Sequence, residues 1–136
     1  MYILELDIVL PHKKDREKHF DFIKRLHQEI GKNTHIKMFE KAFVAVIIFS
    51  PPDYANKKAW DSDNRALHLV FNNLKGVFFS DDDFEHMSFG VFGAKGVEPK
   101  TIILIESESK IPRISMVIRS ILDTCKPDFH RYFGGV

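Results

Sequence analysis

Lys41-Ala-Phe-Val-Ala-Val-Ile-Ile-Phe49 is the stretch on which the fold turns. It is almost unbroken in β-branched and aromatic side chains and carries no charge after Lys41. A strand with one wet face alternates, whereas a strand covered on both faces reads as a continuous apolar run. The segment therefore predicts a central, well-buried strand, closed by Ser50-Pro51-Pro52-Asp53.

The flanks supply what covers it. Tyr2 to Leu10 alternates, with Ile3, Glu5 and Asp7 interleaved with Leu4, Leu6 and Ile8, as a strand with one wetter face does. Pro11 ends it. From Asp15 to Ile30, Phe20, Ile23, Leu26 and Ile30 recur every three or four residues, which predicts an amphipathic helix stopped by Gly31 and Asn33. After the central strand, a helix is expected over 65–75, burying Leu67, Val70, Phe71 and Leu74, with Gly76 as its C′ residue. Asp63 or Asn64 is a suitable N-cap. Phe84 to Phe92 reads as a strand, Gly93-Ala-Lys-Gly96 as a hairpin-like turn, and Thr101 to Glu106 as another strand. Pro112 opens a last helix, roughly 113–124, followed by a polar and aromatic tail. The order β-α-β-α-β-β-α gives an α+β domain, a mixed sheet of about four strands packed with two to three helices.

At 136 residues the chain is the size of one domain and is long enough to bury a core. A net charge of +1 is not the strongly basic balance of a typical nucleic-acid binder, so any such contact must rest on segregated charge. Lys13, Lys14, Arg16 and Lys18 do cluster, although beside Asp15, Glu17 and Asp21 they also read as a solvated helix face. Cys125 is the only cysteine, which excludes an intrachain disulfide and suits a reducing compartment. Glu5 and Asp7 interrupt the first apolar run, and the longest one, 42–49, is too short for a bilayer. A soluble cytoplasmic protein with no membrane partner is expected.

The chemistry lies in the acids. Asp61-Ser-Asp63-Asn64 precedes the 65–75 helix, and Asp81-Asp82-Asp83 follows it. Spacing alone favours caps and turns, which commonly carry Asp. If instead the two groups meet, they form a hard-oxygen site for a cation such as Mg²⁺, which takes one or two carboxylates plus water and phosphate. Bringing them together requires 76–80 to run back along a helix of about three turns, roughly 16 Å, a distance that five extended residues can span. Lys57 and Lys58 lie where phosphate contacts are useful. Phe78 and Phe79 are expected in the core, and His68, His86 and Glu85 as ordinary surface or strand residues.

The run Trp60-Asp-Ser-Asp-Asn-Arg-Ala-Leu-His-Leu-Val-Phe-Asn-Asn-Leu-Lys-Gly-Val-Phe-Phe-Ser-Asp-Asp-Asp83 resembles the core of the RusA family of Holliday-junction resolvases. That family shows Asp-x-Asp-Asn, a short amphipathic helix ending near Gly, an aromatic-containing turn and Asp-Asp. The similarity covers about 42–106, leaving the helix and tail of 110–136 as an addition. It implies a homodimeric, Mg²⁺- or Mn²⁺-dependent endonuclease that nicks branched DNA in pairs, encoded by bacteria or their phages. Asp61, Asp63 and Asp82 take the essential aspartate positions, and Asp81 that of a supporting metal ligand. Lys57, Lys58, Arg65 and Lys75 are the DNA-binding candidates. The chain departs from the family at Leu67, where a lysine is expected, and in lacking the Pro-rich, Asn-containing segment after the first strand.

Overall fold

A computed structural model describes residues 1–50, 65–95 and 98–124. Among them the chain forms β1 (Tyr2–Leu6), α1 (Arg16–Gly31), β2 (Ala42–Ser50), α2 (Leu67–Leu74), β3 (Met87–Lys95), β4 (Lys100–Ser107) and α3 (Ile111–Thr124), with a 3₁₀ turn at Glu108–Lys110 before α3. The four strands make one mixed sheet in the order β1-β4-β2-β3. β4 is antiparallel to both β1 and β2, and β3 is parallel to β2. The expected α+β class is therefore observed.

β2 is central because its sequence permits nothing else: Val44 through Ser50 are all buried. Val44, Val46 and Ile48 face α1 and α2 together with Leu4, Leu6, Ile103, Ile105, Phe22, Leu26, Val70, Leu74, Phe78 and Phe79. Ala45, Ile47 and Phe49 face the other way, onto Ile102, Leu104, Ile114 and Ile118 under α3. The period of two along β2 thus feeds two separate apolar layers, one per face.

The structure corrects three local expectations. Gly93-Ala-Lys does not turn: Gly93 and Ala94 stay in β3, opposite Ile48 and Phe49. β3 and β4 are not neighbours, because β2 lies between them, so the link through Gly96, itself outside the described residues, is a crossover rather than a hairpin. On α1, Phe22 takes the core position while Phe20 is 84% exposed. Phe22 stands one turn before Leu26, the other buried residue of the helix, whereas Phe20 is rotated off that stripe. Finally, α2 begins at Leu67 with Ala66 in the cap position and no side-chain cap, so helix capping does not account for acids at 61–64.

Candidate functional site

The described part of the site is organised around α2. Its start is held by the segment that follows β1. The Arg65 guanidinium donates to the Leu10 carbonyl at 2.8 Å, the Ala66 N–H donates to the Pro11 carbonyl at 2.9 Å, and Arg65 forms an isolated bridge with His12. Leu10 is fixed in turn by Thr101, whose hydroxyl accepts from the Leu10 N–H at 2.9 Å and donates to the Ile8 carbonyl at 2.7 Å. Thr101 pairs with Ile48, so Arg65 sits at the Ser50 end of β2, from which the 51–64 connection also departs. Arg65 is buried at 3% exposure, which overturns its expected role as a DNA contact. A guanidinium committed to a buried carbonyl anchors backbone instead.

The other end of α2 lies at the opposite end of the sheet. Gly76 adopts φ +83°, the left-handed conformation that suits a C′ glycine. Its N–H donates to the Phe79 carbonyl at 2.7 Å, and the Val77 and Phe78 N–H groups both donate to the Leu74 carbonyl. Phe78 and Phe79 are fully buried, as expected, and the Phe39 N–H donates to the Phe78 carbonyl at 2.8 Å. The chain then enters β3 where the Ala42 N–H reaches the His86 carbonyl at 2.9 Å. Residues 76–80 therefore form a compact turn. They do not run back along the helix, and the route by which Asp81 and Asp82 were expected to approach the first acids is not taken.

Asp81, Asp82 and Asp83 are all exposed at this turn. Lys75 Nζ stands 4.0 Å from Asp81 Oδ1 and 4.0 Å from Asp82 Oδ1, a cation bridging the two carboxylates from the last turn of α2. Asp81 accepts the Asp82 N–H at 2.8 Å, and that bond, reinforced by side-chain hydrogen bonding with Asp82, holds its pKa below the ordinary carboxylate value. Slight desolvation opposes the shift, and the positive charges of Lys75 and His86 add to it. Asp83 is committed locally, since its Oδ1 accepts the Glu85 and His86 N–H groups at 3.0 and 3.1 Å. It also meets His86 Nδ1 at 2.6 Å, and this hydrogen bond raises the His86 pKa above 6.5. Glu85 is an exposed turn residue rather than part of a carboxylate group aimed inward.

Asp61, Asp63, Asn64, Lys57, Lys58 and Trp60 lie outside the described residues. Among the described residues no three His, Cys, Asp or Glu side chains converge to hold an ion. Asp81 and Asp82 nevertheless fit half of a Mg²⁺ site: they are hard oxygen donors, adjacent and open to water, and Mg²⁺ retains several waters. Leu67, where the resemblance calls for a lysine, is partly buried against the main core, so that position offers no cation. His68 is exposed, with its ring 5.9 Å from that of His19 across the α1–α2 contact. The Asp83–His86 pair and the Thr101–Leu10–Arg65 clamp were not foreseen. The first has a weak signal in its i,i+3 spacing, and the second has none, because its partners are 91 and 55 residues apart.

The remaining unusual carboxylate, Glu106, is buried near the start of α3, away from this turn. Burial pushes its pKa up, but the Ser107 N–H at 2.9 Å, the Met1 ammonium at 3.3 Å and Lys110 outweigh that and keep it lowered. No helix among the described residues is long and apolar enough to cross a membrane. Comparisons with family models, curated proteins and solved structures return no match for the chain.

Proposed function

We propose that this chain is a RusA-like, divalent-metal-dependent endodeoxyribonuclease that cuts branched, four-way DNA as a homodimer. The observation that carries the reading is the sequence Asp61-x-Asp63-Asn64, a short amphipathic helix, Gly76, an aromatic turn and Asp81-Asp82. The supporting geometry is α2 capped by a left-handed Gly76, then buried Phe78 and Phe79 presenting exposed Asp81 and Asp82. Ala66 at the cap position removes the plainest alternative role for the first acids.

In this mechanism Asp61, Asp63 and Asp82, supported by Asp81, would hold Mg²⁺ or Mn²⁺. The ion would supply an activated water and neutralise charge on the phosphate. The residues themselves orient and balance charge. The lowered pKa of Asp81 keeps it anionic and ready to bind a cation. Lys75, beside Asp81 and Asp82, is the described cation best placed to contact phosphate at the acidic turn. Lys57 and Lys58 add to that surface in this reading.

Leu67 motivates a second reading, a junction-binding protein of the same fold with weak or lost cleavage. A synthetic four-way junction with Mg²⁺ or Mn²⁺ separates the two. Paired nicking that is abolished in Asp63→Asn and Asp82→Asn supports the nuclease. Junction binding without metal-dependent nicking supports the binder, and neither binding nor nicking sinks both. Nicking that survives both substitutions refutes the site assignment. Leu67→Lys, whose long chain can lift its charge out of the core edge, should raise nicking if the missing lysine limits it.

A further inference from the structure

Three cations on or capping α1 have carboxylate partners. Lys18 pairs with Asp15 at 3.4 Å, Arg25 with Asp21 at 3.2 Å, and Lys32 with Glu29. Lys13, Lys14, Arg16 and Lys24 are exposed and have no such partner among the described residues. Arg16 and Lys24 lie one helical turn on either side of Phe20, on the same face. Phe20, at 84% exposure, is among the most exposed large apolar side chains of the described residues. A phenyl ring displayed in water between two unneutralised cations is poorly explained as a solvated helix face. Such a face balances its charges, as Lys18 and Arg25 do here.

The position of the stripe adds a second, independent argument. His12 forms the bridge to Arg65, the residue that follows Asp-x-Asp-Asn, and Lys13 and Lys14 come next in the chain. α1 then runs alongside α2: His19 meets His68 near the start of both helices, and His27 Nε2 lies 2.8 Å from Asn73 Oδ1 near the end of α2. The basic stripe thus begins beside Arg65 and follows α2 toward Lys75.

We infer that Lys13, Lys14, Arg16, Phe20 and Lys24 form a nucleic-acid contact surface, the cations on successive phosphates and the Phe20 ring stacked on an unpaired base at a branch or single-stranded end. This rests on the DNA reading above and adds where the strand lies. Cations spaced along a helix match a phosphate backbone, and aromatic side chains on such a track stack on bases regardless of sequence. An anionic membrane surface would need a row of apolar side chains, whereas this face offers Phe20 alone between charges.

The test is binding of the full chain, with Ca²⁺ in place of Mg²⁺, to a fixed four-way junction, a duplex and a single strand across a salt series. Removing Lys13, Lys14, Arg16 and Lys24 together (each →Ala) should make the log–log salt dependence shallower by about 3–4, near 0.9 per lost phosphate contact. Lys18→Ala with Arg25→Ala, which removes already paired cations, should change it by less than about 1. Phe20→Ala should weaken single-strand and junction binding about tenfold at unchanged salt slope. All these side chains are exposed, and a thermal melt of each variant checks that folding is intact. An unchanged slope in the fourfold variant, or an effect equal to that of the paired-cation control, overturns the inference. So does binding confined to phosphatidylserine vesicles. If the unaltered protein nicks junctions but the fourfold variant binds them equally, the stripe alone fails. If the stripe variants lose DNA binding and no form nicks, the stripe stands and the nuclease reading falls.

Discussion

Thr101→Val removes one oxygen and nothing else of consequence in shape. Thr101 is fully buried, and its hydroxyl satisfies two backbone groups, the Leu10 N–H at 2.9 Å and the Ile8 carbonyl at 2.7 Å. The Leu10 N–H would lose its partner in a buried setting and the Ile8 carbonyl in a part-buried one. An orphaned buried group costs about 1–3 kcal/mol and a part-buried one less, so the substitution should destabilise by roughly 2–4 kcal/mol. Valine fits a β-strand at least as well as threonine, which excludes propensity as a cause. Thr101→Ser is the matched control: it keeps the hydroxyl, loses one methyl, and should cost only about 1 kcal/mol. Urea unfolding followed by circular dichroism reads the difference. With a slope of about 2 kcal/mol per molar, the valine midpoint should fall by about 1–2 M, roughly two to four times the serine shift. Amide hydrogen exchange should also show Leu10 losing protection beyond the global change. Because the Leu10 carbonyl takes the Arg65 guanidinium, the same variant should loosen the entry to α2. A valine variant as stable as the serine one, or a Leu10 amide equally protected in both, would refute the reasoning.

Further expectations are readily checked. Gly76→Ala, forced into φ +83° with nothing within 4 Å of the new methyl, should cost about 1–2 kcal/mol in denaturant unfolding. Gly31→Ala, in the last turn of α1 with equally open space, should be neutral or stabilise by up to about 1 kcal/mol. Ser50→Ala should also be neutral or stabilising, since the Ser50 hydroxyl is buried without a hydrogen-bond partner among the described residues; a loss above about 1 kcal/mol would show a partner in solution. Titration by NMR should find His86 with a pKa above 6.5, falling toward the ordinary value in Asp83→Asn. The sign follows from that raised value: the contribution to stability is fully present below pH 6.5 and is lost as pH rises through the folded-state pKa.

The sequence made the central strand legible because burial on both faces leaves a composition that few other environments tolerate. Gly76 was equally plain, since a glycine after a helical stripe has a specific stereochemical use. Phe20 and Phe22 were harder. Two phenylalanines two residues apart both resemble core, and only the rotation of α1 against the sheet decides which one is buried. The crossover after β3 was illegible for a different reason. A Gly-rich segment between two strands signals a reversal but does not say whether a third strand has already taken the place between them. β2 has, because its apolar run demands neighbours on both sides. The Arg65 clamp was hidden for want of any local pattern: an arginine after Asp-x-Asp-Asn invites an electrostatic reading, and its burial depends on Leu10, which lies 55 residues earlier.

That clamp also determines what the acidic site requires. Arg65 and the Asp81–Asp83 turn are held at opposite ends of α2, whose eight residues span about 12 Å. The turn cannot lengthen to close the gap, because Phe78 and Phe79 are locked in the core and Gly76 is bonded to Phe79. A shared ion therefore demands that residues 61–64 approach along the flank of α2. Extended chain covers about 3.5 Å per residue, so Asp63, two residues from the Arg65 anchor, reaches about 7 Å, while Asp61 reaches about 14 Å. Two metal–oxygen distances of about 2.0–2.1 Å and the two Asp side chains supply the remainder of the roughly 12 Å, so both Asp63 and Asp61 have the length to share an ion with Asp82. Leu67, facing the core instead of that path, leaves Lys75 as the described α2 cation beside the acidic turn.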